Sequence, residues 1–167
     1  MMFAPAPLFN VSPRVVEEVR HQSCAPPWVN LHPTKNAAKA MGIRYERRVL
    51  NWLNKEGFLC GQWFSYYEGD SEGDSPPRFC QVDAYHVANK KLRIVEVKIR
   101  WCSEALVQLL GLYAPLLKWY YNSPNEPSCY VICKSFDPAI PGSSLTKRVK
   151  SLDEDPGPGK VGVLIWQ

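Results

Sequence analysis

The sequence predicts an α/β fold in which a mixed central sheet is flanked by helices. Its 167 residues are 46% hydrophobic and 22% charged, a composition typical of one globular domain. A helical repeat of apolar residues at 34–54 precedes three segments rich in aromatic and β-branched residues. A second helical segment then leads to a short apolar run at 128–134. This order of helices and strands favours a sheet covered by helices on its faces.

Composition limits the class of protein. No segment approaches the roughly 18 consecutive apolar residues that a membrane-spanning helix needs. The first ten residues lack a positive cluster and contain Pro5 and Pro7, which is unlike a signal peptide. We therefore expect a cytoplasmic protein without a membrane partner. The net charge of +4 is compatible with binding to DNA. The six cysteines are scattered, and we expect free thiols.

The first half of the chain divides into an arm, a helix and three strands. Residues 1–31 are predicted to form a proline-rich N-terminal arm laid over the domain, with a short helix in VVEEVR, and residues 32–167 a single domain. The first long helix is expected to begin after a Thr34 cap and to stop at Gly57. Strands at 58–67, 78–87 and 91–99 then form an antiparallel meander, with an acidic loop at 68–77 and a tight turn at Asn89-Lys90.

The second half of the chain returns to helix and strand. Ser103 is a plausible cap of a second helix, and Pro115 is expected to kink or end it. The apolar run at 128–134 is predicted to be a central strand. A short basic helix is expected in SSLTKRVKSL, and the last strand in KVGVLIW.

Charged residues occur in two strands that otherwise look buried. Alternation places Glu96 and Lys98 on one face of the third strand, where they can form a salt bridge. The turn at Asn89-Lys90 sets Asp83 opposite Glu96. Two carboxylates this close repel each other unless one is protonated or a divalent cation lies between them. The pattern therefore favours a cation site over a plain salt bridge.

The first helix supplies a third acid. At about 100° per residue, Glu46 falls on the apolar face of the helix, whereas Arg44 and Arg48 point away from that face. A carboxylate in a core-facing stripe destabilises the fold unless it is paired or binds a ligand. The residues expected to share its face are Ile43, Val49, Leu50 and Leu53.

The strings GIRYERRVLNWLNKEGF, VDAYHV and IVEVKIRW resemble the PD-(D/E)XK nuclease superfamily. The resemblance covers residues 42–134, and in detail the chain is similar to archaeal-type Holliday-junction resolvases and phage-borne nucleases. It implies a restriction-endonuclease-like αβββαβ core. Val82 stands where the family has proline, and the family's Q-x-x-x-Y on the second helix is half met, because the tyrosine after Gln108 is Tyr113 instead of residue 112.

The resemblance also implies roles for individual residues. It makes Glu46, Asp83, Glu96 and Lys98 catalytic, with Lys98 positioning or deprotonating the attacking water. Mg²⁺, for which Mn²⁺ can substitute, would be bound by Asp83, Glu96, Val97 and Glu46. The residues expected to contact DNA are Arg44, Arg47, Arg48, Arg100 and Gln108.

The favoured function is a Mg²⁺-dependent DNA nuclease, an endonuclease acting on branched or structured DNA. Three alternatives stay open: a RecB-type exonuclease, a nucleic-acid-binding module that does not cut, and a metal-free protein with a buried ion-pair network. A homodimer is compatible with the sequence. Further residues with a possible DNA role are basic (Lys90, Lys91, Arg93, Lys147, Arg148, Lys150) or aromatic (Trp63, Tyr66, Tyr67), although core packing is favoured for the aromatic ones.

Overall fold

A seven-stranded mixed sheet forms the centre of the computed structural model, which describes residues 9–29, 35–69 and 75–167. The strand order is β1-β2-β3-β4-β5-β7-β6, antiparallel from β1 to β4 and parallel from β4 to β6. This confirms the predicted α/β class, the meander and the central position of the fourth predicted strand. The strands are β1 (Val16–Gln22), β2 (Leu59–Glu68), β3 (Arg78–Ala88), β4 (Lys91–Arg100), β5 (Ser128–Ser135), β6 (Thr146–Arg148) and β7 (Val161–Ile165).

Helix α1 (Ala37–Lys55) covers one face of the sheet. Its N-cap is Asn36, whose side chain accepts a hydrogen bond from the Lys39 N–H at 3.0 Å. The helix ends at Lys55, and Gly57 follows two residues later as the predicted stop, at φ +90°, which favours glycine. The proposed Thr34 cap and residues 70–74 of the acidic loop lie outside the described residues.

The second helical segment covers the other face and differs from its prediction. It consists of α2 (Ser103–Gln108), a π-helical turn (Leu109–Tyr113) and α3 (Ala114–Tyr120). Its N-cap is Cys102 instead of Ser103. Pro115 does not end the segment, because it occupies the first turn of α3, where a missing N–H costs little.

The sheet separates two hydrophobic clusters. Leu92 and Ile94 of β4 pack on the α2–α3 side, and Val95 and Val97 pack on the α1 side. This alternation is the one predicted for β4. Within the described residues no helix has the length and apolar character needed to cross a membrane. All six cysteines are free, as expected.

The predicted helix in VVEEVR is wrong. These residues contribute to β1, which pairs with β2 at the edge of the sheet. Val16 and Val19 are both buried in the cluster on the α2–α3 side, so this part of the arm belongs to the core. Their three-residue spacing resembles a helix, but a register shift between Glu17 and Arg20, with Glu18 at φ +48°, turns both valines to the same face.

The predicted basic helix in SSLTKRVKSL is also wrong. The segment forms a 3₁₀ turn (Ser143–Leu145) followed by β6, which pairs with β7. Val149, directly after β6, is buried on the α1 side, whereas Lys147 and Arg148 are exposed. Exposed basic residues suit an edge strand because they discourage pairing with another chain.

Candidate active site

The β3–β4 ladder leads directly to two carboxylates. It runs from Ala88–Lys91 to Ala84–Val95, so Asp83 and Glu96 follow its last pair in the predicted register. The Val97 N–H donates to Asp83 Oδ2 at 2.8 Å. The Asp83 carboxylate therefore accepts a main-chain hydrogen bond just beyond the last pair of the ladder.

Strand β3 changes faces at Asp83. Ala84 packs on the α1 side, but Val82, two residues earlier, packs on the α2–α3 side. The neighbouring strand has Gly61 at φ +66° at this level, between the paired residues Cys60 and Gln62. The sequence signal for this irregularity is a glycine within an aromatic strand, which often marks a bend.

Glu96 and Lys98 form a buried ion pair, which confirms that they share a face. Lys98 Nζ lies 2.7 Å from Glu96 Oε1, and the Glu96 side chain is only 2% exposed, against 28% for Lys98. The second carboxylate oxygen, Glu96 Oε2, is buried and has no hydrogen-bond partner among the described residues. When protonated, Asp83 can donate a hydrogen bond to the Glu96 carboxylate. A buried carboxylate oxygen without a partner is costly, so Oε2 needs either this proton or a bound ligand.

Burial perturbs the titration of the whole group. Burial and then the charge of Glu96 raise the pKa of Asp83 to about 8. Burial also raises the pKa of Glu96, although the Lys98 ammonium opposes the change. For Lys98 burial favours the neutral amine, but the pairing with Glu96 and the charge of Asp83 outweigh it and raise the pKa. Lys98 is therefore held as an ammonium.

Glu46 joins this group from α1. Burial raises its pKa, the charge of Asp83 raises it further and Lys98 lowers it, so the Glu46 carboxyl is within electrostatic reach of both. Its predicted place in the apolar stripe needs correction. The buried face of α1 is formed by Tyr45, Val49 and Leu53, and Ile43 is 39% exposed. Glu46 is only partly buried. We refer to Glu46, Asp83, Glu96 and Lys98 as the acid cluster.

The π-helical turn brings Gln108 and Tyr113 onto one face. Hydrogen bonds in such a turn span five residues, here from the Ala114 N–H to the Leu109 carbonyl, so residues five apart lie above each other. Gln108 Oε1 is buried without a hydrogen-bond partner in the described part of the chain. Besides burial, the charges of Glu96 and Asp83 raise the pKa of Tyr113, which places its ring near the acid cluster. The one-residue offset in the sequence is thus absorbed by the backbone.

The predicted cationic contacts divide into two groups. Arg44, Arg47, Arg48 and Arg100 are exposed, as contacts to phosphate require. Arg93 is not available, because its guanidinium donates to the Leu152 carbonyl and to Asp153 Oδ1. Among the aromatic candidates, Tyr66 is buried in the core, and Trp63 and Tyr67 are partly buried.

The acid cluster offers carboxylate oxygens to a hard cation such as Mg²⁺. No three His, Cys, Asp or Glu side chains of the described residues are grouped closely enough to form a metal-binding set by themselves. Mg²⁺ is, however, usually held by only one or two carboxylates, together with water and substrate phosphate. Asp83 and the unpartnered oxygen of Glu96 supply that donor set, so the residues present fit the ion.

Comparison of the chain with protein-family models, curated proteins and solved structures found no match. The chemistry available to the acid cluster follows from its own groups. Two buried carboxyls can bind a hard cation, and an ammonium held beside them can donate to water or to an anionic oxygen.

Proposed function

We propose that this chain is a Mg²⁺-dependent DNA nuclease of the PD-(D/E)XK superfamily, cutting branched or structured DNA as an endonuclease in the cytoplasm. The observation that carries the proposal is the pairing of two buried carboxyls, Asp83 and Glu96, beside the Lys98 ammonium, with Glu96 Oε2 bonded to no N–H of the described residues. A bound cation would satisfy this oxygen and offset the repulsion between the two carboxyls.

Each residue then has a distinct task. Asp83 and Glu96 would hold Mg²⁺, with Asp83 oriented by the Val97 N–H. When bound, the ion supplies a water of lowered pKa and neutralises charge on the phosphate. Lys98, kept protonated by Glu96, acts as a hydrogen-bond donor that positions the attacking water or a phosphate oxygen. Glu46 would complete the cluster from α1.

DNA would be bound mainly through its phosphates. Arg44, Arg47 and Arg48 are exposed on the helix that carries Glu46, and Arg100 is exposed two residues after Lys98. Contacts of this kind do not read base sequence, and they release counterions. Binding should therefore weaken steeply with salt and show little preference for sequence.

A RecB-type exonuclease is the second candidate. The observation that favours it is the shared face of Gln108 and Tyr113, which reproduces through the π-helical turn the Q-x-x-x-Y relation expected of that group. The two candidates differ in whether a DNA end is needed.

The test is an incubation of the chain with supercoiled, linear, single-stranded and four-way DNA in Mg²⁺, in Mn²⁺, in Ca²⁺ and in EDTA. We expect cutting of the circular or branched substrates in Mg²⁺ or Mn²⁺, binding with little cutting in Ca²⁺, and no cutting in EDTA. Loss of linear DNA alone would favour the exonuclease, and binding without cutting would favour the binding module. Full cutting in EDTA would contradict the assignment.

A further inference from the structure

A cavity of about 300 Å³ lies on the α1 side of the sheet, outside the acid cluster. Its lining includes Trp52 and Phe58, Lys150 of the segment after β6, and Trp166 after β7. We call it the aromatic pocket. Its volume is at the lower end of the range, about 300–1,000 Å³, that small-ligand pockets occupy.

Two indoles form a platform at this pocket. The Trp52 and Trp166 rings are stacked, with centroids 5.8 Å apart and planes 27° apart. The Arg48 guanidinium carbon lies 5.3 Å from the centroid of Trp166. Both tryptophans are only partly buried, so part of each indole is exposed to solvent. Indole and guanidinium planes are the groups on which nucleobases stack.

The charges around the pocket leave two cations free. Arg93 and Asp153, both in the lining, neutralise each other at 3.0 Å. Arg48 and Lys150 are exposed, and no carboxylate of the described residues forms an ion pair with either. Glu56 is the other acid in the lining. The two cations can bind phosphate, and the indoles can bind an aromatic ring. Together they suit a ligand that has an aromatic ring attached to phosphate.

Helix α1 connects the pocket to the acid cluster. Tyr45 directly precedes Glu46 on the helix. Its hydroxyl donates to the Trp166 carbonyl at 2.9 Å. Trp52 follows Glu46 by six residues, about 9 Å along the helix axis. That length corresponds to about three nucleotides of a B-form strand at about 3.4 Å each. Measured along the α1 axis, the residue that joins the acid cluster and the residue that lines the aromatic pocket are therefore about three nucleotides apart.

We propose that the aromatic pocket binds an unpaired nucleobase of the DNA substrate, stacked on the Trp52–Trp166 platform, with Arg48 and Lys150 at the flanking phosphates. The proposal rests on the proposed nuclease function and narrows its substrate class to DNA with unpaired nucleotides beside the cut. A base inside a duplex is stacked on its neighbours and cannot enter the pocket without leaving the helix.

The test compares two short fluorescent oligomers in EDTA, where no cutting occurs: oligothymidylate and an abasic strand with the same sugar–phosphate chain. Stacking of one base is worth about 1–3 kcal/mol, so the full chain should bind oligothymidylate about 5- to 150-fold more tightly. Trp52→Ala should remove most of this preference, and Trp52→Phe should restore part of it. The matched control is Trp119→Ala, an indole 47% exposed on α3 at the opposite face, which should retain it.

Two further variants make the result independent of folding effects. Lys150→Gln should weaken both oligomers equally, because it removes a phosphate contact and no stacking surface. Ser151→Met fills the pocket from an exposed position and should remove the preference even if Trp52→Ala fails to fold. Equal binding of both oligomers by the parent chain would overturn the proposal, and so would a preference that survives in folded Trp52→Ala and in Ser151→Met.

The outcome is separable from that of the proposed function, because binding is measured without metal. A chain that prefers bases in the pocket but never cuts DNA would contradict only the nuclease. A chain that cuts in Mg²⁺ but binds both oligomers equally would contradict only the aromatic pocket.

Discussion

Two ion pairs involve residues of β4. They have similar distances, but they differ in how far their carboxylates are buried. Lys98 and Glu96 approach to 2.7 Å on the α2–α3 side, and Arg93 and Asp153 approach to 3.0 Å on the α1 side. Asp153 is 91% exposed, and Arg93 also reaches the Leu152 carbonyl and the ring of His86. Glu96 is buried, and one of its oxygens has no partner in the part of the chain that the structure describes.

The contrast separates an exposed ion pair from one whose carboxylate is buried. An exposed ion pair whose polar atoms all have partners stabilises the folded state by about 0–1 kcal/mol. A buried carboxyl beside a second carboxyl costs free energy, which only protonation or a ligand can recover. Burial of the acid cluster therefore destabilises the folded protein when no ligand is bound, and the Arg93–Asp153 pair does not.

The largest expected effect is on cleavage. Asp83→Asn and Glu96→Gln each remove a proposed ligand of Mg²⁺ and a negative charge near the phosphate. Cutting should fall by several orders of magnitude, while DNA binding holds or tightens. Single-turnover cleavage and binding in Ca²⁺ measure the two effects, with Glu126→Gln as the matched control, an exposed carboxylate outside both the acid cluster and the aromatic pocket. Unchanged cutting in Asp83→Asn would contradict the assignment of the site.

Lys98→Met should behave differently from the carboxylate variants. Cutting should also collapse, because the donor that positions the water or the phosphate is lost. Binding should weaken slightly, since a cation is removed, and Mg²⁺ should still bind. The comparison is made by cleavage, by binding in Ca²⁺ and by the shift of melting temperature with Mg²⁺. Loss of Mg²⁺ binding in this variant would assign Lys98 a structural role.

The next effect is on stability without metal. If Asp83 and Glu96 belong to a functional site, Asp83→Asn should melt at the parent temperature or higher. If they form only a structural ion-pair network, the same change should cost about 3–5 kcal/mol. Melting in EDTA distinguishes the two cases, and a large destabilisation without any parental nuclease activity would favour the structural network.

The pH dependence of stability follows from the raised pKa of Asp83. The folded protein binds this proton more tightly than the unfolded chain, whose aspartate titrates near its usual value of about 3.9. Stability in EDTA should therefore fall as pH rises from about 4 to the folded pKa of about 8. The slope from this single group is at most about 1.4 kcal/mol per pH unit. Urea unfolding across this range should give a flatter profile for Asp83→Asn, and an unchanged profile would contradict the assignment.

Binding of Mg²⁺ should offset part of the destabilisation caused by the buried acid cluster. An ion that binds only the folded chain stabilises it by about 2.7 kcal/mol at 100 times its Kd. The melting temperature of the parent should therefore rise with Mg²⁺, that of Asp153→Asn should rise equally, and that of Glu96→Gln should rise far less. Equal shifts in all three proteins would mean that Mg²⁺ binds elsewhere.

Much of the fold and of the site could be predicted from local pattern. The turn at Asn89-Lys90, where both residues have positive φ, fixed the register that brings Asp83 to Glu96. Strand alternation placed Glu96 and Lys98 together. These features depend on neighbours in sequence or on one hairpin, and such relations can be deduced from a single chain.

The predictions that differ from the structure do so for two reasons, irregular backbone geometry and strand pairing at the sheet edge. A bulge in β1 gives two valines a helical spacing, and the π-helical turn shifts Tyr113 into line with Gln108. The strand around Lys147 forms because β7 offers an unpaired edge on the far side of the sheet. Register shifts and edge pairing depend on the folded sheet, so sequence periodicity cannot reveal them.

The smallest expected effect belongs to the exposed ion pair. Asp153→Asn removes the negative charge beside Arg93, but the Leu152 carbonyl and His86 stay in contact with the guanidinium. Because Asp153 is almost fully solvated, the change should cost no more than about 1 kcal/mol. Urea unfolding measures the cost, and a loss as large as that expected for a broken buried pair would show that exposure does not separate the two pairs of β4.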